Sequence, residues 1–143
     1  MNPERDSDEA ALQVHGLTRE FLLDKPKFSE IAKDFLGFID NAELIIHNAP
    51  FDIRFLNHEI GKIYDGYRVA NPHLCTVQLS RRLVPNIENH KLNTVAEHFR
   101  VNLENHHRAS HDAHATAKIF VNLLEQLNDL GVSDLAAARK VKI

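Results

Sequence analysis

The 143-residue chain has one cysteine, Cys75, one methionine and no tryptophan. A lone cysteine closes no internal disulfide, so no covalent staple is expected and the default setting is reducing and cytoplasmic. Five glycines and five prolines are too few for a collagen-like or low-complexity chain. No apolar run approaches the roughly 18 residues of a membrane span, so no membrane partner is expected. Met1 leads into Asn2-Pro3-Glu4-Arg5-Asp6, with neither the basic start nor the apolar stretch of a secretory signal. Positive charge is also short: 17 Lys and Arg face 20 Asp and Glu, a net of −3. Nucleic acid is therefore not held by bulk electrostatics, and any such contact must be local.

What is present reads as a soluble α/β protein, with 43% hydrophobic and 26% charged residues. The length suits one domain over residues 1–143. Ten histidines are the unusual count, and His106, His107, His111 and His114 crowd one short stretch.

Along the chain, Asn2 to Asp24 is polar and irregular and reads as a connecting stretch. From Phe28 to Ile39, apolar residues recur at i, i+3, i+4, i+7, i+8 and i+11, which predicts an amphipathic helix. Glu43 to Ala49 is a short, nearly continuous apolar run, as in a strand buried on both faces, with Pro50 ending it. Helical spacing resumes from Phe51 to Ile63. A second strand is expected over His73 to Leu79, then a helix from Lys91 to Arg100. A long helix from about Ser110 to Leu130 is expected to bury Ala113, Ala117, Phe120, Leu124 and Leu127, with Gly131 capping it. A short helix and a frayed end complete the chain. The element order implies a parallel strand pair with flanking helices.

Two carboxylates stand out. Asp52, in His47-Asn48-Ala49-Pro50-Phe51-Asp52, follows a strand into a helix start, where open α/β sheets place ligands. A helix-start aspartate that only complements the dipole is the plainer reading. Asp112 lies where the long helix begins, and His107 lies five residues earlier on the entering loop. A histidine beside carboxylates suits a general base. His107, His111 and His114 also share the i, i+4, i+7 spacing of a zinc-binding face, but no cysteine or second ligand pair accompanies them. Arg81, Arg82 and Lys91 read as a solvated surface.

Four segments together carry a resemblance. His47 to Asp52 resembles the second motif of the DEDD-type 3′-5′ exonucleases, and His107-Arg108-Ala109-Ser110-His111-Asp112-Ala113 resembles the third motif of their histidine subgroup. Asn89 to Phe99 is similar to the helix before that motif. Val14-His15-Gly16-Leu17-Thr18, with Phe21-Leu22, is similar to the proofreading epsilon subunits of bacterial DNA polymerase III.

The resemblance implies an RNase H-like fold and hydrolysis of a DNA 3′ end, single-stranded or frayed, with release of nucleoside monophosphates. It implies two Mg²⁺ or Mn²⁺ ions, about 4 Å apart in such sites, and a DNA polymerase subunit as a partner. Asp52 and Asp112 become metal ligands, His107 the general base, and His15 and Phe51 the lining for the terminal nucleotide.

The family's first motif, an Asp-x-Glu pair on the first strand, has no counterpart here. Asn2-Pro3-Glu4 matches the end of the family's third strand, so an RNase H-like fold lacking its first three antiparallel strands is expected. Glu4, Asp6, Asp8 and Glu9 lie in no apolar strand and are not taken as ligands. With two of four carboxylates, the chain alone is expected to be inactive or weak. The alternative is a non-catalytic remnant that binds a polymerase or nuclease. The uncovered strand edge would also invite pairing with a second copy.

Overall fold

A computed structural model describes residues 1–6, 8–103 and 108–141. In chain order the elements are α1 (Glu9–His15), α2 (Arg19–Leu22), α3 (Phe28–Ile39), β1 (Leu44–Ile46), α4 (Ala49–Gly61), β2 (His73–Cys75), α5 (Thr76–Leu83), α6 (Leu92–His98), α7 (Ala109–Asp129) and α8 (Leu135–Ala138). The residues fall into two compact units, Met1–Ala42 with Arg54–Asn71, and Glu43–Ile53 with Pro72–Ile143.

In the first unit, the predicted amphipathic helix is α3, with Ala32 and Ile39 buried and Phe28 set edge-on to Phe35 at 6.2 Å. The Glu30 carboxylate accepts from the Lys27 amide at 3.0 Å, which satisfies one of the otherwise orphaned donors at the helix start. At the other end, the Asn71 side-chain amide donates toward the carbonyls of Ile39, Asp40 and Ala42 at 3.1, 2.8 and 2.9 Å. One side chain thus closes the helix exit. The stretch expected to be irregular holds α1 and α2. Thr18 caps α2 by accepting from the Phe21 amide at 3.1 Å, a local signal too short to register as periodicity.

In the second unit, β1 and β2 pair in parallel, Leu44 with His73, Ile45 with Leu74 and Ile46 with Cys75. This pair is the only sheet among the described residues. Both strands are shorter than expected, for local reasons. Asn48 adopts φ 71° and Ala49 starts α4, so β1 stops at Ile46. After β2, Thr76, Leu79, Ser80 and Leu83 repeat at i, i+3, i+4 and i+7, a helical period that wins over the strand reading.

The core of this unit is Leu74, Leu79, Val84, Val95, Ala96, Ile119, Leu123, Leu127 and Ala138. Helix α7 supplies its centre and packs against α5, α6 and β1. Its buried stripe is Ala115, Thr116, Ile119, Leu123 and Leu127. Of the expected stripe only Leu127 is fully buried; Phe120 is partly so, while Ala113, Ala117 and Leu124 face solvent. The helix carries two adjacent apolar stripes that share Leu127, and the one through Ile119 and Leu123 is the one buried. Gly131, at φ 77°, does turn the chain out of α7, a conformation glycine adopts at no steric cost.

Helix α8 returns to the sheet. The Arg139 guanidinium donates to the His73 carbonyl at 2.7 Å and pairs with Glu43, while Arg82 donates to the Arg139 carbonyl at 2.7 Å. A cation thereby occupies a backbone acceptor of β2.

Leu123→Ala should cost about 2–5 kcal/mol in urea unfolding, whereas Leu124→Ala should cost under about 1 kcal/mol. A larger cost for Leu124→Ala than for Leu123→Ala would mean that α7 buries the other stripe.

Candidate functional site

The site is built from the turn after β1. Asn48 takes the left-handed conformation that a short polar side chain tolerates. Pro50 then sits in the first turn of α4, where its missing N–H is no loss. Asp52 follows in that same turn, so its charge is favoured by the helix dipole. Its carboxyl is reached by solvent, yet the protein packed beside it disfavours the charged form and raises its pKa above the usual carboxylate value; a hydrogen bond from its own amide works the other way.

Behind this turn lies a polar clamp. His47 Nε2 is 2.9 Å from the His90 carbonyl, which can only accept, so Nε2 carries the proton. In that neutral ring Nδ1 accepts from the Thr76 hydroxyl at 2.8 Å. Ser80 Oγ donates to the Val77 carbonyl at 2.9 Å and meets His90 Nδ1 at 3.0 Å. Thr76 and Ser80 are fully buried, and no buried side-chain nitrogen or oxygen among the described residues lacks a hydrogen-bond partner. Burial pushes the His47 pKa down, with the bond to the His90 carbonyl opposing it, and His90 is lowered by burial and then by the nearby Arg81 charge. Sequence reasoning passed over this clamp. Its one signal was Thr76 and Ser80 lying four apart on an otherwise apolar helix face.

Asp112 lies in the first turn of α7 and is half-buried. Its amide donates to the Arg108 carbonyl at 3.0 Å, and its own carbonyl accepts from Thr116 Oγ at 2.8 Å. Asp52 and Asp112 belong to the same unit, in which α7 packs on β1. Phe51 is in that unit too, exposed. His15 ends α1 in the other unit, where its Nδ1 accepts from the Leu17 amide at 2.8 Å. His107 and His106 lie outside the described residues. His111 and His114 are exposed, and no zinc-like set gathers around them among the described residues.

For a divalent cation, the donor chemistry is suitable: Asp52 and Asp112 offer the hard oxygens that Mg²⁺ and Mn²⁺ prefer. A cation at Asp52 would favour the charged form that burial disfavours. The number of donors is not suitable. No group of three or more His, Cys, Asp or Glu able to hold a metal ion occurs among the described residues. A complete two-ion site is therefore not formed by them.

Comparison with known proteins bears on this geometry. A sequence model of the RNase_T exonuclease family matches residues 1–120. The chain is 38% identical over 127 residues to DNA polymerase III subunit epsilon of Haemophilus influenzae, covering 86% of this chain and 48% of that protein. It is 40% identical over 130 residues to the epsilon subunit of Rickettsia conorii, covering 87% and 56%. The PolC-type DNA polymerase III of Caldanaerobacter subterraneus is 37% identical over 141 residues, 99% of this chain and 10% of that protein. The chain thus spans about half the length of these epsilon relatives and about a tenth of the PolC one. Among solved structures, exonuclease X in complex with 5′ overhanging duplex DNA superposes with a TM-score of 0.71 at 25% identity, covering 93% of this chain and 73% of that one.

Because the folded-state pKa of His47 lies below the ordinary 6.5, the unfolded chain binds the extra proton as pH falls, and stability is lost below about pH 6.5. Urea unfolding from pH 8 to pH 5 should show this slope, and His47→Gln should flatten it. An unaltered slope would remove His47 as its source.

Proposed function

Since the chain belongs to the RNase_T exonuclease family, we propose that it acts on DNA as a 3′-5′ exonuclease domain in replication proofreading or repair, hydrolysing the terminal phosphodiester to release nucleoside monophosphates. The observation that carries this reading is Asp52 at the strand–turn–helix junction, in one unit with Asp112 at the head of α7. In this reading Asp52 and Asp112 contribute oxygens to divalent-ion binding, with Mg²⁺ or Mn²⁺ as the cofactor. His107 takes the proton from the attacking water. Phe51 lines the place of the terminal nucleotide, and the motif resemblance carries His15 over to the same role. The likeness to exonuclease X, solved with DNA, supports DNA as substrate, and the epsilon and PolC relatives support a polymerase partner. Among the described residues no helix is long and apolar enough to cross a membrane.

Two carboxylates are a weak hold on two ions. Disturbing even an outer-shell partner of a metal costs about 10–100-fold in affinity or activity, so the chain assayed alone should turn over slowly. A second reading, which the epsilon and PolC relatives support through their polymerase names, is a binding module for a polymerase or nuclease that performs no chemistry itself. A second copy pairing along β1 would serve either role.

The discriminating experiment follows release of nucleoside monophosphates from single-stranded DNA with Mn²⁺, using the chain and a version extended by an Asp-x-Glu strand. The extended protein should be active, and Asp112→Ala should lower its rate at least about 100-fold. Activity that survives Asp112→Ala would overturn the assignment, and an inert extended protein would favour the binding module.

A further inference from the structure

On the outer face of α7, away from its buried stripe, Ser110, His111, His114 and Lys118 line an open groove of about 410 Å³, with Asn102 on the segment after α6 completing it. His111, His114 and Lys118 are all exposed and stand at i, i+3 and i+7, so they share a side of the helix. At 1.5 Å per residue they span about 10 Å of helix. Every described lining side chain offers an N–H or O–H, and none is a carboxylate. That composition is notable in a chain with a net charge of −3.

We propose that this groove is a subsite for the phosphodiester backbone of a single nucleic-acid strand. The inference rests on the exonuclease reading and extends it, because the groove lies on the helix that carries Asp112. In this proposal successive phosphates of the bound strand lie along His111, His114 and Lys118. Lys118 supplies the cationic contact; the imidazoles, Asn102 and Ser110 supply hydrogen bonds to phosphate oxygens. The groove therefore holds the backbone without reading bases, as phosphate contacts do generally. It is also the kind of local contact that an acidic chain requires to hold a polyanion.

The test is fluorescence anisotropy of a labelled oligothymidylate with the whole chain in EDTA, across a salt series. The double variant His114→Gln with Lys118→Met should bind about tenfold more weakly, and its log–log salt slope should shrink by about 0.7, one phosphate contact. Lys118→Glu alone should weaken binding further than Lys118→Met. Lys62→Met, which removes an exposed lysine just after α4 paired with Glu59 at 3.2 Å, should change neither affinity nor slope. All these side chains are at the surface, and circular dichroism confirms that each variant is folded.

The proposal is overturned if the double variant keeps the parent slope. It is equally overturned if polyglutamate binds as tightly and loses as much in that variant, which would make the groove an acidic-peptide site. Failure of the exonuclease reading looks different. In that case Asp112→Ala leaves Mn²⁺-dependent cleavage intact, while the EDTA binding and its dependence on Lys118 stay as they are.

Discussion

The second unit depends on one packed face. Ile119, Leu123 and Leu127 of α7 are essentially inaccessible to water, and α5, α6 and β1 are laid against that helix. A parallel pair of three residues per strand cannot hold itself together, since parallel sheets rely on helices to cover them. Each such side chain contributes about 1.5–3 kcal/mol on burial, which is large against a typical net stability of about 5–15 kcal/mol. Because Asp112 lies in the first turn of the helix that the core anchors, its place follows from packing some distance away.

Asp52 is held by different means. The turn that bears it leaves the sheet through an asparagine in the left-handed region. The preceding His47 is tied by both ring nitrogens, one to Thr76 and one to the His90 carbonyl. The Ala49 amide points at the sulfur of buried Cys75, 3.4 Å away. Polar fixing at the strand end costs desolvation, visible in the lowered His47 pKa, and leaves a single geometry for the turn. Asp52 shows the complementary cost, a carboxylate disfavoured in its charged form. Perturbed titration of this kind is enriched at functional sites and also occurs in structural networks.

Much of this was legible in residue spacing. The apolar repeat of α3 matched its observed ends, Phe28 and Ile39, because one strong stripe faces one core. The helix-start position of Asp52 was readable from Asn48-Ala49-Pro50, whose turn chemistry is local. The stripe on α7 was misplaced because Ala113, Ala117 and Leu124 form a second apolar row beside the buried one, and only the tertiary partner decides between rows. The extent of β2 was misjudged because the helical period of Thr76, Leu79, Ser80 and Leu83 runs through two residues polar by type, which are buried with bonds to His47 and His90. No single-sequence pattern announces such long-range pairs. His107, central to the family resemblance, lies outside the described residues, so its role rests on motif alone.

The central claim is that Asp52 and Asp112 serve one cation site. Mn²⁺ binding to the chain, measured by calorimetry for the parent, Asp52→Asn, Asp112→Asn and the double variant, tests it most directly. The account predicts weak binding, no tighter than high micromolar, a loss on either single substitution, and little further loss in the double variant, since ligands of one ion are not independent. Sub-micromolar binding, or binding indifferent to both substitutions, would contradict it.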